Sequence, residues 1–202
     1  MHKKLTETIN YISKLSISEN RIEILTPFIT YLQSKLDKKE AIHINFICTH
    51  NSRRSHLGQV WMQTLAKHFN IATITTYSGG TEATAMAKPI IATLIAQGFE
   101  INAISKEKNP INAVKFDAVS HPIICFSKKY DHNFNPASSF LAIMTCSSAD
   151  KGCPFVAGSE KRIPVTYIDP KISDNTDLEA TTYLERSNQI ASEMYYVLSQ
   201  LK

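Results

Sequence analysis

The chain has 202 residues, 43% of them hydrophobic and 20% charged, with a formal net charge of +4. This is the composition of a soluble globular protein with room for one sizeable domain and an appendage. The positive balance is mild and dispersed, which suits a small anionic substrate and argues against nucleic acid as a partner.

Residues 3 to 36 read as a helical extension in two pieces. Leu5, Ile9, Ile12 and Leu15 make the first apolar stripe. Ser16 or Ser18 is placed to cap the second, which runs through Ile22, Leu25, Phe28, Ile29, Leu32 and Leu36 with Pro27 as a kink or a start. A pair of helices covering part of a sheet is the expected role, and a dimer surface is the alternative. Ile42 to Ile47 is an apolar strand that meets Cys48, and from Ser55 the spacing of Leu57, Val60, Trp61, Thr64, Leu65 and His68 is helical. Ala72 to Tyr77 is a second strand, Ser78-Gly79-Gly80-Thr81-Glu82 a tight turn, and residues 84 to 97 a helix broken at Pro89 and closed by Gly98. Two strand–loop–helix units in succession imply a parallel sheet.

From Ile101 to Ser139 the pattern weakens. Pro122 to Ser127 is a short strand with a partner near Val114 to Val119, followed by a polar loop. Phe140 to Thr145 is a continuous apolar run, as in a strand buried on both faces, and it ends on Cys146. The segment to Pro164, containing Gly152, Pro154 and Gly158, reads as a loop. Val165 to Ile168 is expected to be the last strand, running into Asp169-Pro170. A C-terminal helix from about Asp177 carries Leu178, Leu184, Ile190, Met194, Val197, Leu198 and Leu201 on one broad face.

The chemistry concentrates between Cys48 and Ser55. A strand, a polar loop and a helix, with cysteine at the loop's start and Arg54 at its end, form an oxyanion-binding design. The main-chain N–H groups of Thr49, His50, Asn51, Ser52 and Arg53 converge, the helix N-terminus adds positive charge, and Arg54 forks onto two oxygens. Cys48 is expected to be held there as a thiolate nucleophile. Asn51 and Ser52 are expected to stabilise the loop, Ser52 or Ser55 to donate to the sulfur, and Arg53 to face solvent. Asp169, at a strand end level with this loop, is placed to protonate a leaving oxygen, and Pro170 stiffens it.

No apolar run reaches transmembrane length and the N-terminus lacks an apolar signal core, so a cytoplasmic protein without a membrane partner is expected. In that setting the four cysteines read as thiols rather than staples. Six residues separate Cys146 from Cys153, a spacing that fits no metal site. A redox relay fits better, with Cys146 reaching Cys48 and a mobile Cys153 then reaching Cys146 by thiol–disulfide exchange. Cys125, inside an apolar strand, reads as core.

The motif CTHNSRRS, the turn SGGTE, the paired cysteines of TCSSADKGCP and the late YIDP together resemble the low-molecular-weight protein tyrosine phosphatase superfamily, and within it the thioredoxin-coupled arsenate reductases. The resemblance covers about residues 41–202, with an insertion at about 111–139. Residues 1–40, a helical extension through which an oligomer could form, lie outside it. It implies an α/β fold, a four-stranded parallel sheet flanked by helices, with an inserted strand or hairpin segment. It further implies that Cys48 is the nucleophile, Arg54 the clamp, Asp169 the general acid, and Cys146 and Cys153 the relay that ends as a disulfide presented to a thioredoxin-like reductant. Arg53 stands where reductases usually carry Cys or Ala. Asn51 and Ser78 match residues that hold a potassium ion in some reductases, but the acidic partners align with Gln59 and Pro110, so no ion site is carried over. No cofactor and no metal are expected.

Arsenate reduction is therefore the leading expectation. Hydrolysis of phosphotyrosine or aryl phosphates through a cysteinyl-phosphate intermediate is the second, since arsenate and phosphate are nearly isosteric. A non-catalytic oxyanion or partner-binding module is the third. Phosphotyrosine specificity requires an aromatic wall at the pocket, for which Tyr130 and Tyr167 are the candidates.

Overall fold

The computed structural model describes residues 1–153 and 155–202; Pro154, expected in a loop, lies outside the described residues. The chain begins with two helices, α1 (Lys3–Ile12) and α2 (Glu19–Asp37), and Pro27 sits inside the second rather than at its start. Strand β1 (Ile42–Cys48) leads into α3 (Arg54–His68), then β2 (Ile74–Gly80) and α4 (Lys88–Ala96). Three short strands follow, β3 (Glu100–Ala103), β4 (Asn112–Lys115) and β5 (Ile123–Cys125). The chain ends with β6 (Phe140–Met144), α5 (Ser147–Gly152), β7 (Ser159–Pro164), a 3₁₀ turn (Pro170–Ser173) and α6 (Glu179–Ser199).

The main sheet has the order β2-β1-β6-β7 and is parallel throughout, as expected of a four-stranded α/β fold. All five residues of β6 are buried, which explains their continuous apolar run. β1 pairs Ile47 with Met144 and Cys48 with Gly80, so the carboxyl ends of three strands arrive at one edge together. That edge carries the loops where α/β sheets bind ligands.

Several boundaries differ from expectation. The Ser78-Gly79-Gly80 stretch is the end of β2, because Gly80 still pairs with Cys48 and the turn comes only after it. Pro89 starts α4 instead of breaking it, its missing N–H being harmless in a first turn. Residues 84 to 87 belong to no helix or strand, and Ala87 is extended. The last strand is Ser159–Pro164, and Val165 to Ile168 leave the sheet, although the N–H groups of Val165 and Tyr167 still donate to Met144 and Thr145 oxygens. The mixed polar and apolar letters of β7 hid it. The expected hairpin is a three-stranded antiparallel sheet, β3-β4-β5, whose first strand had no pattern to announce it. Leu178, Leu184 and His68 are exposed, not part of the apolar faces assigned to them, whereas Ile190, Met194, Val197 and Leu198 are buried.

The N-terminal helices share the main core. Leu5, Ile9, Ile12, Leu25, Phe28 and Leu32 are buried in one cluster with Ile44, Trp61 and Met194. Each such fully buried side chain contributes about 2 kcal/mol. Gly98, at φ +104, lets the main chain of Leu5 approach to where a Cβ would stand 2.4 Å from its nitrogen. Trp61 donates to Ser187, and Ser187 in turn to Gln97, tying α3, α6 and the end of α4. Among the described residues no helix is long and apolar enough to cross a membrane.

Candidate active site

Residues 49 to 53 link the end of β1 to the first turn of α3. Carbonyls along the loop are tied to neighbouring segments. Cys48 O accepts from Thr81 N–H, Thr49 O from Glu82 N–H, His50 O from the Ser127 and Thr84 hydroxyls, and Ser52 O from Ala87 N–H. The N–H groups of residues 49 to 53 have no acceptor among the described residues. A loop with its oxygens tied outside and its N–H groups unpaired at a helix N-terminus is a cradle for a tetrahedral anion. Gly80 makes this closeness possible, because a Cβ there would lie 2.6 Å from Thr49 O and 2.7 Å from Asn51 N.

Asn51 holds the cradle's shape. Its backbone is left-handed, at φ +44, a conformation its short polar side chain tolerates. Its amide nitrogen donates to Ser55 Oγ at 2.9 Å and its oxygen accepts from Lys128 N–H at 2.9 Å. Ser55 Oγ lies 3.1 Å from Cys48 Sγ. Because Ser55 already accepts from Asn51, its own proton is left for the sulfur. Ser55, not Ser52, is thus the residue at the thiol; the Ser52 hydroxyl donates to Ala85 O at 2.7 Å.

Arg54 and Asp169 meet. One amino group of Arg54 donates to Tyr167 O at 2.8 Å and the other to Asp169 Oδ2 at 2.5 Å. Its Nε is buried and unpartnered among the described residues, a donor left for an oxyanion. Asp169 also caps the 3₁₀ turn by accepting from Lys171 N–H. Its side chain is one-third exposed, at 34%. Arg53 does not face solvent as expected. Its guanidinium donates to the Tyr183 hydroxyl at 2.6 Å and to Asp174 at 2.8 Å, while Tyr183 donates to the other Asp174 oxygen. This closed triangle joins the loop to the segment after Asp169, and the doubled arginine in the sequence carried no hint of it.

All four cysteines are free and buried. Cys48, Cys146 and Cys153 belong to one cluster with Ile47, Met144 and Val156. Cys146 Sγ lies 3.4 Å from Thr49 Oγ1 and accepts from Ala149 N–H as the cap of α5. Cys153 closes that helix, its thiol against Phe155 O at 3.3 Å. Burial pushes the Cys125 thiol up to about 12, which keeps it a protonated core residue.

Behind the cradle lie two residues that the sequence reading did not single out. Lys128, read as part of a polar loop, is 2% exposed, with its ammonium 4.5 Å from the Phe126 ring centroid and 5.3 Å from that of Phe134. Burial lowers it to about 8. His56 is fully buried and neutral, pushed down to about 3 by burial and then by the Lys128 charge. Its Nδ1 lies 3.2 Å from Ser78 Oγ, which donates to Gln59 at 2.7 Å. Asn51 and Ser78 are therefore engaged by protein partners. Among the described residues no three His, Cys, Asp or Glu side chains gather to hold a metal ion. Tyr167 is buried with its hydroxyl on Glu193, so it offers no wall to an aromatic substrate. Tyr130 is half-buried against the three-cysteine cluster.

No family model and no curated protein matches the chain. Solved structures do. A low-molecular-weight protein tyrosine phosphatase from T. tengcongensis aligns at 12% identity over 80% of this chain and 100% of its own, with a TM-score of 0.53. A low-molecular-weight phosphotyrosine phosphatase from Vibrio cholerae aligns at 11% identity over 79% of this chain and 95% of its own, with a TM-score of 0.51. An arsenate reductase from Archaeoglobus fulgidus aligns at 17% identity over 78% of this chain and 99% of its own, with a TM-score of 0.48. The chain has the low-molecular-weight phosphatase fold.

Proposed function

We propose that this chain is an arsenate reductase, with Cys48 as nucleophile, Arg54 as oxyanion clamp, Asp169 as general acid, and Cys146 and Cys153 as a relay. One observation carries the reading: three thiols share a buried cluster, and the second lies 3.4 Å from the hydroxyl of the residue after the first. Hydrolysis of an ester needs one thiol only.

In this reading the Cys48 thiolate attacks arsenic. One As–O bond breaks, and Asp169 supplies the proton with which that oxygen leaves as water. The loop N–H groups and Arg54 hold the remaining oxygen charge. Cys146 then attacks Cys48 Sγ. An S–S bond forms, the S–As bond breaks, and its electron pair stays on arsenic, which passes from the pentavalent to the trivalent state. Cys153 attacks Cys146 next and releases Cys48 as a thiolate. An external dithiol of the thioredoxin kind reduces the Cys146–Cys153 disulfide by exchange.

The attack of Cys153 on Cys146 requires α5 to unwind. Its six residues hold the two capping cysteines apart, by about 10 Å at 1.5 Å per residue, whereas a disulfide needs its Cα atoms within about 7 Å. So short a helix has little stability of its own. Arg162 supports its far end, donating to Cys153 O at 3.0 Å and to Asp150.

Aryl phosphate hydrolysis through a Cys48 phosphate is the second reading. It is favoured by Ile168 and Ile172, one residue before and three after Asp169, which are 65% and 76% exposed and would offer a ring an apolar surface there. Assaying Cys153→Ser for both activities separates the two. A reductase loses multiple turnover with a thioredoxin-type donor while Cys48 chemistry on an aryl phosphate survives. Efficient ester hydrolysis by the unaltered chain, with no Cys146–Cys153 disulfide accumulating in arsenate, overturns the reductase reading.

A further inference from the structure

The segment from Val165 to Asp169 delivers two of the contacts that hold Arg54, the Tyr167 oxygen and the Asp169 carboxylate. The sheet fixes its start through the N–H groups of Val165 and Tyr167. Further contacts come from α2, far away in sequence, and from α6. Arg21 Nη1 donates to Thr166 O at 3.2 Å, and its guanidinium lies 5.0 Å from the centroid of the Tyr167 ring. The same guanidinium makes two bonds to the Glu193 carboxylate, at 2.8 Å and 2.6 Å. Glu193, 2% exposed, also accepts from the Tyr167 hydroxyl at 2.8 Å and from Gln189 at 3.1 Å. Arg21, Glu193 and Tyr167 thus form one closed polar group. It grips the main chain of Thr166 on one side, while Arg54 takes the main chain of Tyr167 on the other.

A buried ion pair is a poor way to gain stability, since apolar replacements of similar volume often do as well. Its value lies in direction. A forked guanidinium bonded on three sides fixes the angle and height of what it holds in a way that apolar packing does not.

We propose that Arg21 is a positioning residue for the reaction. It sets the Thr166–Asp169 segment, and through that segment the orientation of Arg54 and the delivery of the Asp169 proton. The helical extension is thereby part of the working site and not only a cover for the sheet. This rests on the reading of Cys48, Arg54 and Asp169 as the reacting groups.

Leaving-group dependence tests it. Phenyl phosphate has a poor leaving group that needs the proton from Asp169, and para-nitrophenyl phosphate has a good one that needs it little. Arg21→Gln is expected to lower kcat/KM on phenyl phosphate about ten-fold more than on the nitrophenyl ester, because the leaving group departs in the step that forms the Cys48 phosphate. Leu25→Ala, which removes a buried side chain from the same helix, lowers stability and leaves the ratio of the two rates at the wild-type value. Should Arg21→Gln fail to fold, the double variant Arg21→Gln/Glu193→Gln, which leaves no buried charge unpaired, carries the same comparison. Equal losses on both esters, or an equal change of the ratio in Leu25→Ala, overturn the proposal. Absence of any Cys48-dependent turnover in the unaltered chain overturns the reading of the site, and the proposal with it.

Discussion

The Thr49 hydroxyl and the Cys146 thiol lie 3.4 Å apart, across the gap between the loop that starts at Cys48 and the end of the neighbouring strand. The sheet sets this distance. β1 and β6 are parallel and in register to Ile47 opposite Met144, so two residues further on each chain reaches the same edge.

Cys146→Ser is therefore expected to separate attack from reduction. Cys48 chemistry on an aryl phosphate stays within about three-fold of wild type, because no group that touches the ester is altered. Arsenite release stops, since a hydroxyl does not displace arsenic from sulfur. Paired assays of arsenite release and ester hydrolysis check this. Arsenite release at the wild-type rate removes Cys146 from the mechanism.

Arg54 divides its two amino groups between Tyr167 O and Asp169 while its Nε has no partner among the described residues. A lysine supplies the charge without the fork. Arg54→Lys is expected to lower kcat/KM on an aryl phosphate by about a hundred-fold to a thousand-fold. Steady-state rates on an aryl phosphate, with circular dichroism to verify folding, provide the measurement. A loss below about ten-fold means that charge alone suffices there.

What the sequence disclosed and what it hid follow from how far each feature's signal extends. Cys48, Asn51 and Arg54 were legible because the loop's chemistry is local, five residues between a strand and a helix. Asp169 was legible because it follows an apolar segment level with that loop. Arg53, Asp174 and Tyr183 make an equally definite arrangement, but their spacing of 121 and 130 residues leaves no periodicity to find. Lys128 was hidden by composition: lysine beside lysine in a polar stretch looks solvated, and only the fold places Phe126 and Phe134 around it. β7 was missed because an edge strand with exposed Glu160 and Lys161 has no apolar run, while the apolar residues after it had already left the sheet.

Asn51→Ala removes two hydrogen bonds, leaves the buried Lys128 N–H without its acceptor and puts a Cβ residue at φ +44 without a compensating side chain. The expected cost is about 2–4 kcal/mol of unfolding free energy. Asn51→Gly relieves the backbone strain and keeps the lost bonds lost, so it is expected to recover about 1 kcal/mol of that. Urea denaturation of the three proteins checks both steps. Equal stability of the alanine and glycine variants shows that the left-handed backbone is not a source of strain.

Lys128 gives the fold a pH dependence whose sign is opposite to that of a paired lysine. Burial lowers its folded value to about 8 from an ordinary 10.5. The Phe126 oxygen at 3.3 Å and the two rings offset only part of that desolvation. Below pH 8 both folded and unfolded chains hold the proton, and the folded chain bears the full burial penalty. Between about 8 and 10.5 the unfolded chain binds more protons than the folded one, so the penalty is relieved and stability rises with pH. Lys128→Met removes the buried charge while keeping a flexible apolar stem between the rings. It is expected to be more stable than wild type at pH 7, with the difference shrinking by about 2–3 kcal/mol as the pH passes from 8 to 10.5. Denaturant unfolding of both proteins across that range measures the difference directly. A gap that stays constant with pH shows that the ammonium keeps its ordinary affinity for the proton inside the fold.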